Sequence, residues 1–290
     1  MKDPVSSSQP EEYLDILLQY LACPVDNSAA LTVIRDPAGE VVALRADDRE
    51  YPVVNNVPCM MPDSEGRRDR VWRLWEELLA KWWISFGHQP EKEPTAEDDP
   101  VASYIGQMIG QSGERLFLDV GCGPSSLPPY MDACGGAAEW IGIDPALGDV
   151  ARRFPFVKAI GEYLPFQSEV FDGALYSLVL SNLLDPLQSL RQTWRALRPG
   201  GRVYLKYYVT RVDARYIAWK MMRSLGLTCR YNQFYPWAYT NRSVRVLLSK
   251  AGFALERVML LCEICPHRAT CGDVGTEFLA IGRRIRDRAA

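Results

Sequence analysis

The sequence predicts a doubly wound α/β fold with a mostly parallel sheet, preceded by a small α+β unit, and three observations carry that prediction. The first is the apolar run Leu116-Phe117-Leu118-Asp119-Val120, which breaks at Gly121-Cys122-Gly123. The second is the run Trp140-Ile141-Gly142-Ile143, closed by Asp144, 23 residues beyond Gly121. A strand that ends in a glycine-paired tight turn, with an acidic residue closing the next strand, is how such sheets receive a nucleotide-type ligand. The third is that the first sixty residues carry a helix pattern, two alternating runs and turns of their own.

In that amino-terminal unit, residues 13–24 have helical apolar spacing and stop at Pro24. Two alternating runs follow, residues 30–34 and 40–45, with Asp36-Pro37-Ala38-Gly39 as the turn between them. Tyr51-Pro52-Val53-Val54-Asn55-Asn56-Val57-Pro58 closes a domain expected over residues 1–63. Residues 64–100 are expected to form a helical linker or cap. Within it, residues 67–83 place Val71, Trp72, Trp75, Leu78, Leu79 and Trp82 on a broad apolar helical face. Residues 87–100 are acidic and contain prolines, which reads as a mobile loop or lid.

The glycine turn narrows the ligand class. Without Cβ atoms, Gly121 and Gly123 let the backbone adopt positive φ and approach a bulky ligand closely. Asp144, at the end of the second strand, can accept both hydrogen bonds of a ribose diol. A dinucleotide fingerprint would want glycine at position 126, and the chain has Ser126, which disfavours nicotinamide and flavin dinucleotides. Asp119 is expected inside the turn, where a carboxylate repels a pyrophosphate and suits a ligand with an ammonium group. S-adenosyl-L-methionine meets these conditions.

At this point the chain resembles the class I S-adenosylmethionine-dependent methyltransferases, over roughly residues 100–285. Leu118-Asp119-Val120-Gly121-Cys122-Gly123-Pro124 resembles their first motif and Ile143-Asp144-Pro145 their ribose-binding second. Gly161-Glu162-Tyr163-Leu164-Pro165-Phe166 resembles the adenine-side loop, and residues 171–182 the fourth strand and its exit. Leu197-Arg198-Pro199-Gly200-Gly201 is similar to the turn before the fifth strand, and Lys250-Ala251-Gly252-Phe253 to the lead-in of the sixth. The resemblance implies a seven-stranded, Rossmann-like methyltransferase domain over 101–290. It implies cofactor contacts from Asp119, Gly121, Cys122, Gly123, Ser125, Asp144, Pro145, Gly161, Glu162, Tyr163, Ser177 and Leu178. Ser125 stands where the family has a third glycine, and Ile160 where it usually offers an aspartate to adenine. Adenine is therefore expected to be held by backbone groups and apolar contact.

The amino-terminal unit resembles the small zinc-ribbon-like domain that activates, or is fused to, several tRNA, rRNA and protein methyltransferases. Its zinc cysteines are missing: Cys23 is followed three residues later by Asp26, and no second pair precedes Tyr51. The expectation is a folded remnant that shields an edge of the catalytic domain or pairs subunits.

Composition agrees with this reading. A chain of 290 residues with 48% hydrophobic content can bury a large core. It has no run of eighteen apolar residues and its first residues lack a signal-peptide pattern, so a soluble, cytoplasmic protein with reduced cysteines is expected. Charge is segregated: residues 1–190 carry 14 basic and 30 acidic side chains, and residues 191–290 carry 19 and 6. Mutual attraction within one globule explains this, and an anionic partner such as RNA or an acidic acceptor is the functional alternative.

Acceptor recognition is expected from a cap at about residues 210–240. Residues 214–225 form a basic amphipathic pattern, and Tyr231, Phe234, Tyr235, Trp237 and Tyr239 crowd the stretch that follows. The linker tryptophans could wall an aromatic acceptor, and a helix packed on the core explains them equally well. Cys262, Cys265 and Cys271, with either His267 or Cys229 as a fourth ligand, have spacing that could hold zinc, and a chance or redox cluster of thiols is the alternative. In the resembled family Ser181 and Asn182 occupy the strand exit facing the transferred methyl group, which makes Asn182 the candidate for acceptor positioning. Asp185-Pro186 reads as a helix cap. Of Tyr207 and Tyr208 on the fifth strand, only one can face the pocket.

The expected activity is methyl transfer to a small or medium organic acceptor, with RNA methylation and a non-catalytic adenosine-binding or activating subunit as alternatives. Because the sulfonium is already an activated methyl donor, alignment and exclusion of water carry more of the rate than acid–base groups. The sequence leaves oligomeric state open.

Overall fold

The computed structural model describes residues 9–27, 29–62, 95–146, 150–209, 238–261 and 276–285. They form two sheets. The first is a four-stranded antiparallel sheet in the order β1 (Thr32–Arg35), β2 (Val41–Ala46), β3 (Arg49–Val54), β4 (Val57–Pro58), following helix α1 (Glu11–Leu18). The second has seven strands: β5 (Leu116–Val120), β6 (Glu139–Asp144), β7 (Phe156–Lys158), β8 (Phe171–Ser177), β9 (Leu197–Val209), β10 (Phe253–Leu260) and β11 (Thr276–Arg284). Their spatial order is β10-β11-β9-β8-β5-β6-β7. Only β11 runs antiparallel to its neighbours. The order reverses beside β5, and ligands bind open α/β sheets at such a switch point, beyond the carboxyl ends of the strands.

The central strand explains its own position. All five residues of β5 are buried, as a parallel strand covered on both faces requires. Alternate residues feed two cores. Leu116, Leu118 and Val120 join Tyr176, Leu205, Leu190 and Val244 on one face. Phe117 joins Trp140, Tyr204, Ile105 and Tyr130 on the other. Four further helices cover these faces: α2 (Pro100–Gly110), α3 (Pro129–Ala133), α4 (Pro186–Ala196) and α5 (Asn241–Lys250). Asp99 caps α2 by accepting from the amides of Val101 and Ala102, and Asp185 caps α4 through the amide of Gln188. The α2 helix passes so close to α3 that a Cβ on Gly106 would lie 2.2 Å from the Tyr130 carbonyl oxygen.

Three sequence expectations change in detail. The first helix ends at Leu18, short of Pro24, because Leu21 bridges Phe166 and the Ala22 amide donates to the Pro165 carbonyl at 3.0 Å. The glycine segment before the fifth strand lies inside β9: Leu197 pairs with Phe171, and pairing resumes only between Arg202 and Gly173. The last residues of the acidic stretch form a turn over 95–98 and the cap of α2, while its residues 87–94 lie outside the described residues.

The small sheet docks along the outer edge of β7. The Gln9 carboxamide mimics a strand residue, accepting from the Phe156 amide at 3.0 Å and donating to the Phe156 carbonyl at 3.2 Å. Cys59 then pairs in parallel with Lys158, whose carbonyl accepts from the Met60 amide at 2.8 Å. These bonds satisfy an edge that would otherwise offer unpaired backbone groups to other chains. Leu14 and Leu17 of α1 are fully buried in the shared core, and each contributes about 1.5–3 kcal/mol of apolar burial. No described helix is long and apolar enough to cross a membrane.

Candidate cofactor site

The site is built where β5 ends. The chain leaves Val120 through Gly121 (φ +76°) and Gly123 (φ +70°), conformations that side chains rarely tolerate. The amides of Gly121 and Cys122 donate to the Ile143 carbonyl at 2.8 and 3.1 Å, folding the turn over the end of β6. Asp144, the last residue of β6, lies against that turn. Its Oδ2 accepts from the Gly123 amide at 3.0 Å and its Oδ1 from the Ala146 amide at 2.9 Å. Burial raises the Asp144 carboxyl above the usual range, opposed by these amides and by the nearby Arg152 guanidinium.

The space around the turn fits a ligand on one side. Among the described residues, a Cβ on Gly123 would meet nothing within 4 Å. On Gly121 it would lie 2.4 Å from Val179 Cγ2, so the exit of β8 closes that flank. Leu178, at the same exit, has φ +61° and donates its amide to the Lys206 carbonyl at 3.0 Å. For a non-glycine residue this conformation costs about 1–2 kcal/mol, and such strain is held at functional sites by the surrounding structure. Ser125, Asp144 and Pro145 at the turn, Ser177 and Leu178 at the β8 exit across the crevice from it, and Tyr163 in the loop after β7 are all partly exposed.

Asp119 is placed differently from the sequence reading. It lies in β5, paired with Gly142 and Leu175 in register, one residue before the strand ends and outside the turn. It is fully buried, and its Oδ2 accepts from the Tyr130 hydroxyl at 2.6 Å. No hydrogen-bond partner for its Oδ1 lies among the described residues. Burial raises its carboxyl to about 7; Asp144 adds to the rise, and the Tyr130 hydrogen bond and the Arg152 charge oppose it.

Glu162 and Cys122 turn away from the crevice. Gly161–Tyr163 forms one 3-10 turn, tight because a Cβ on Gly161 would strike Ser189 Oγ at 2.3 Å. Buried Glu162 accepts from the amides of Leu184 (2.7 Å) and Asp185 (3.2 Å), so its carboxylate pins the exit of β8 and the start of α4. The Cys122 side chain is buried behind the turn, where its Sγ would lie 3.0 Å from a Cβ on Gly142.

Arg152 has no counterpart in the sequence reading. It is buried and stacks at 3.8 Å over the Phe156 ring. Its Nη1 donates to the carbonyls of Gly123 (2.8 Å) and Ser125 (3.3 Å), and its Nη2 to that of Ala146 (3.5 Å). Only a run of Arg-Arg before Phe-Pro-Phe hinted at it, since the carbonyls and the Cys122 thiol that it bonds belong to other segments.

On the acceptor side, Asn182 is half-buried in the turn after β8, and its amide donates to the Val179 carbonyl at 2.8 Å. Tyr207 is buried and bonds Asn241 Oδ1 at 2.7 Å, whereas Tyr208 is partly exposed. The Tyr239 hydroxyl donates to the Leu180 carbonyl at 3.1 Å, tying the lead-in of α5 to the same exit. The expected cap over 210–237, the linker tryptophans, and Cys262, Cys265, His267 and Cys271 lie outside the described residues. Among the described residues no group of three or more His, Cys, Asp or Glu side chains could hold a metal ion.

Residues 118–205 match the profile of a family described as a methyltransferase domain, and this segment contains the turn, Asp144, the 3-10 loop and the β8 exit. The chain carries a class I S-adenosylmethionine-dependent methyltransferase domain. The domain is 28% identical over 158 residues to a ubiquinone biosynthesis O-methyltransferase of Xanthomonas oryzae pv. oryzae, covering 49% of this chain and 65% of that protein. The chain thus spans just under two thirds of that relative's length. Against a protein of the same description from Xanthomonas axonopodis pv. citri, the identity is 27% over 210 residues, covering 66% of this chain and 84% of the relative. In fold, the methyltransferase domain resembles 1,6-didemethyltoxoflavin-N1-methyltransferase of Burkholderia thailandensis, with a TM-score of 0.52 and 15% identity. That match covers 84% of this chain and 99% of the other.

Proposed function

We propose that the protein transfers the methyl group of S-adenosyl-L-methionine to a small or medium organic acceptor by in-line displacement. The observation that carries this reading is that no described atom lies within 4 Å of a Cβ on Gly123, beside the partly exposed residue Asp144 at the switch point of the sheet. The cofactor supplies an activated methyl on a sulfonium; the chain supplies binding, orientation and a dry cavity. Asp144 accepts from the ribose diol while still held by two amides, which keep its oxygens fixed in place. Asp119 is fully buried, so it acts on the cofactor's ammonium end through its charge and its hold on Tyr130 rather than by contact. The 3-10 loop contributes backbone and the Tyr163 ring to adenine, and Glu162 acts through the β8 exit that it holds.

The acceptor lies beyond Asn182, at the exit of β8. Relatives described as O-methyltransferases support a low-mass oxygen acceptor over RNA. Zinc at the carboxyl-terminal cysteines has no part in this reading.

The test supplies cofactor labelled in its methyl group, with a low-mass metabolite extract in one arm and total RNA in the other. Label is expected in low-mass, solvent-extractable product. Label in RNA would overturn the acceptor class. Saturable cofactor binding without transfer to either arm would overturn the catalytic reading in favour of a binding subunit.

A further inference from the structure

The connection between β6 and β7 is short. Eleven residues join Asp144 to Phe156, and the described ones among them form neither helix nor strand. Parallel strands are usually joined by a dozen or more residues containing a helix that packs on the sheet. Here the volume beneath the glycine turn is taken instead by Arg152, Phe154 and Phe156: Phe154 reaches within 2.5 Å of a Cβ built on Gly142, and Phe156 lies under the guanidinium.

We propose that Arg152 is a positioning residue of the cofactor site, holding the glycine turn in its ligand-ready shape from beneath. Two carbonyls of the turn, those of Gly123 and Ser125, point at Nη1. In a trans peptide the N–H points opposite to the C=O within the same plane, so drawing the Ser125 carbonyl inward directs the Ser126 N–H away from Arg152. The Ser126 carbonyl is itself fixed by the Arg153 amide at 2.9 Å, so one short segment grips the turn at three carbonyls. The third guanidinium contact, Ala146, ties this grip to the segment whose amide holds Asp144. A buried guanidinium also needs compensating negative charge, and Asp119 and Asp144 supply it. The guanidinium thus holds the main chain of the turn in the shape against which the cofactor's amino-acid end packs.

This inference rests on the methyltransferase reading, and its test separates the two. Binding of S-adenosylhomocysteine and of 5′-methylthioadenosine, which lacks the amino-acid end, is measured by calorimetry for wild type, Arg152→Met and Arg152→Lys. Charge-assisted hydrogen bonds of this kind predict about a 10- to 100-fold loss for S-adenosylhomocysteine in Arg152→Met. A much smaller loss is expected for methylthioadenosine. Arg152→Lys keeps the charge but not the fork, so it should recover part of the difference. Equal losses for both ligands, or affinity unchanged in the variants, overturn the positioning role while leaving the methyltransferase reading intact. Wild type that binds neither ligand overturns both. If Arg152→Met does not fold, the ratio of the two affinities in Arg152→Lys decides alone.

Discussion

Replacing Gly121 by alanine tests the geometry of the turn most sharply, because two separable costs converge there. The φ of +76° penalises any side chain by about 1–2 kcal/mol. The new Cβ would also lie 2.4 Å from Val179 Cγ2 and 2.9 Å from its Cβ, an overlap worth a further ~1–3 kcal/mol. The single variant should therefore lose about 2–5 kcal/mol of stability in a urea titration. Val179→Ala removes both Cγ atoms, and only the second cost responds to it. The double variant should accordingly be more stable than the sum of the single losses predicts, with a coupling of about 1–2 kcal/mol. Losses that simply add, or a Gly121→Ala cost below about 0.5 kcal/mol, would refute this view of how the β8 exit closes on the turn.

Two further outcomes follow from buried polar groups. Asp119 has a carboxyl raised to about 7 in the folded protein, so the native state binds the extra proton and stability from this group falls as pH rises from the ordinary carboxylate range through about 7. Asp119→Asn should remove that part of the slope when pH-dependent unfolding is compared with wild type, and an identical slope in both would contradict the burial argument. Tyr176→Phe strips the phenol shared by Ser189 (2.8 Å) and Thr193 (2.6 Å), both fully buried, and should cost about 1–3 kcal/mol in thermal or urea unfolding. A neutral result would mean that these hydroxyls find other partners.

The parts of the fold that were legible in the sequence are those decided by local chemistry. Gly121, Gly123 and Asp144 announce the turn and its acidic neighbour because backbone freedom and strand length fix their spacing. Asp185-Pro186 signals a cap correctly, and the same pair at Asp99-Pro100 caps α2, although the acidic residues around it masked the signal. Asn55 and Asn56, both at positive φ, make the two-residue turn joining β3 to β4, a pattern that was readable between Val54 and Val57. Strand β3 was obscured by Pro52, which sits opposite Ala43.

Other features depend on distant partners. Asp119 reads as a turn residue until pairing with β6 and β8 carries the strand past it. Glu162 belongs to a loop that resembles an adenine contact, yet its side chain answers two amides more than twenty residues away. Arg152 bonds main-chain oxygens of Gly123, Ser125 and Ala146 and the Cys122 thiol and lies over two aromatic rings, a set of partners that no local sequence pattern encodes.

The account stands most directly on a calorimetric titration of S-adenosylhomocysteine into wild-type protein and Asp144→Ala. Saturable one-to-one binding is expected for wild type. The variant should bind roughly 100-fold more weakly, since it loses the carboxylate offered to the ribose and frees the two amides that it held. Equal affinity in the two proteins, or no saturable binding by wild type, would contradict the assignment of this crevice to an adenosine-bearing cofactor.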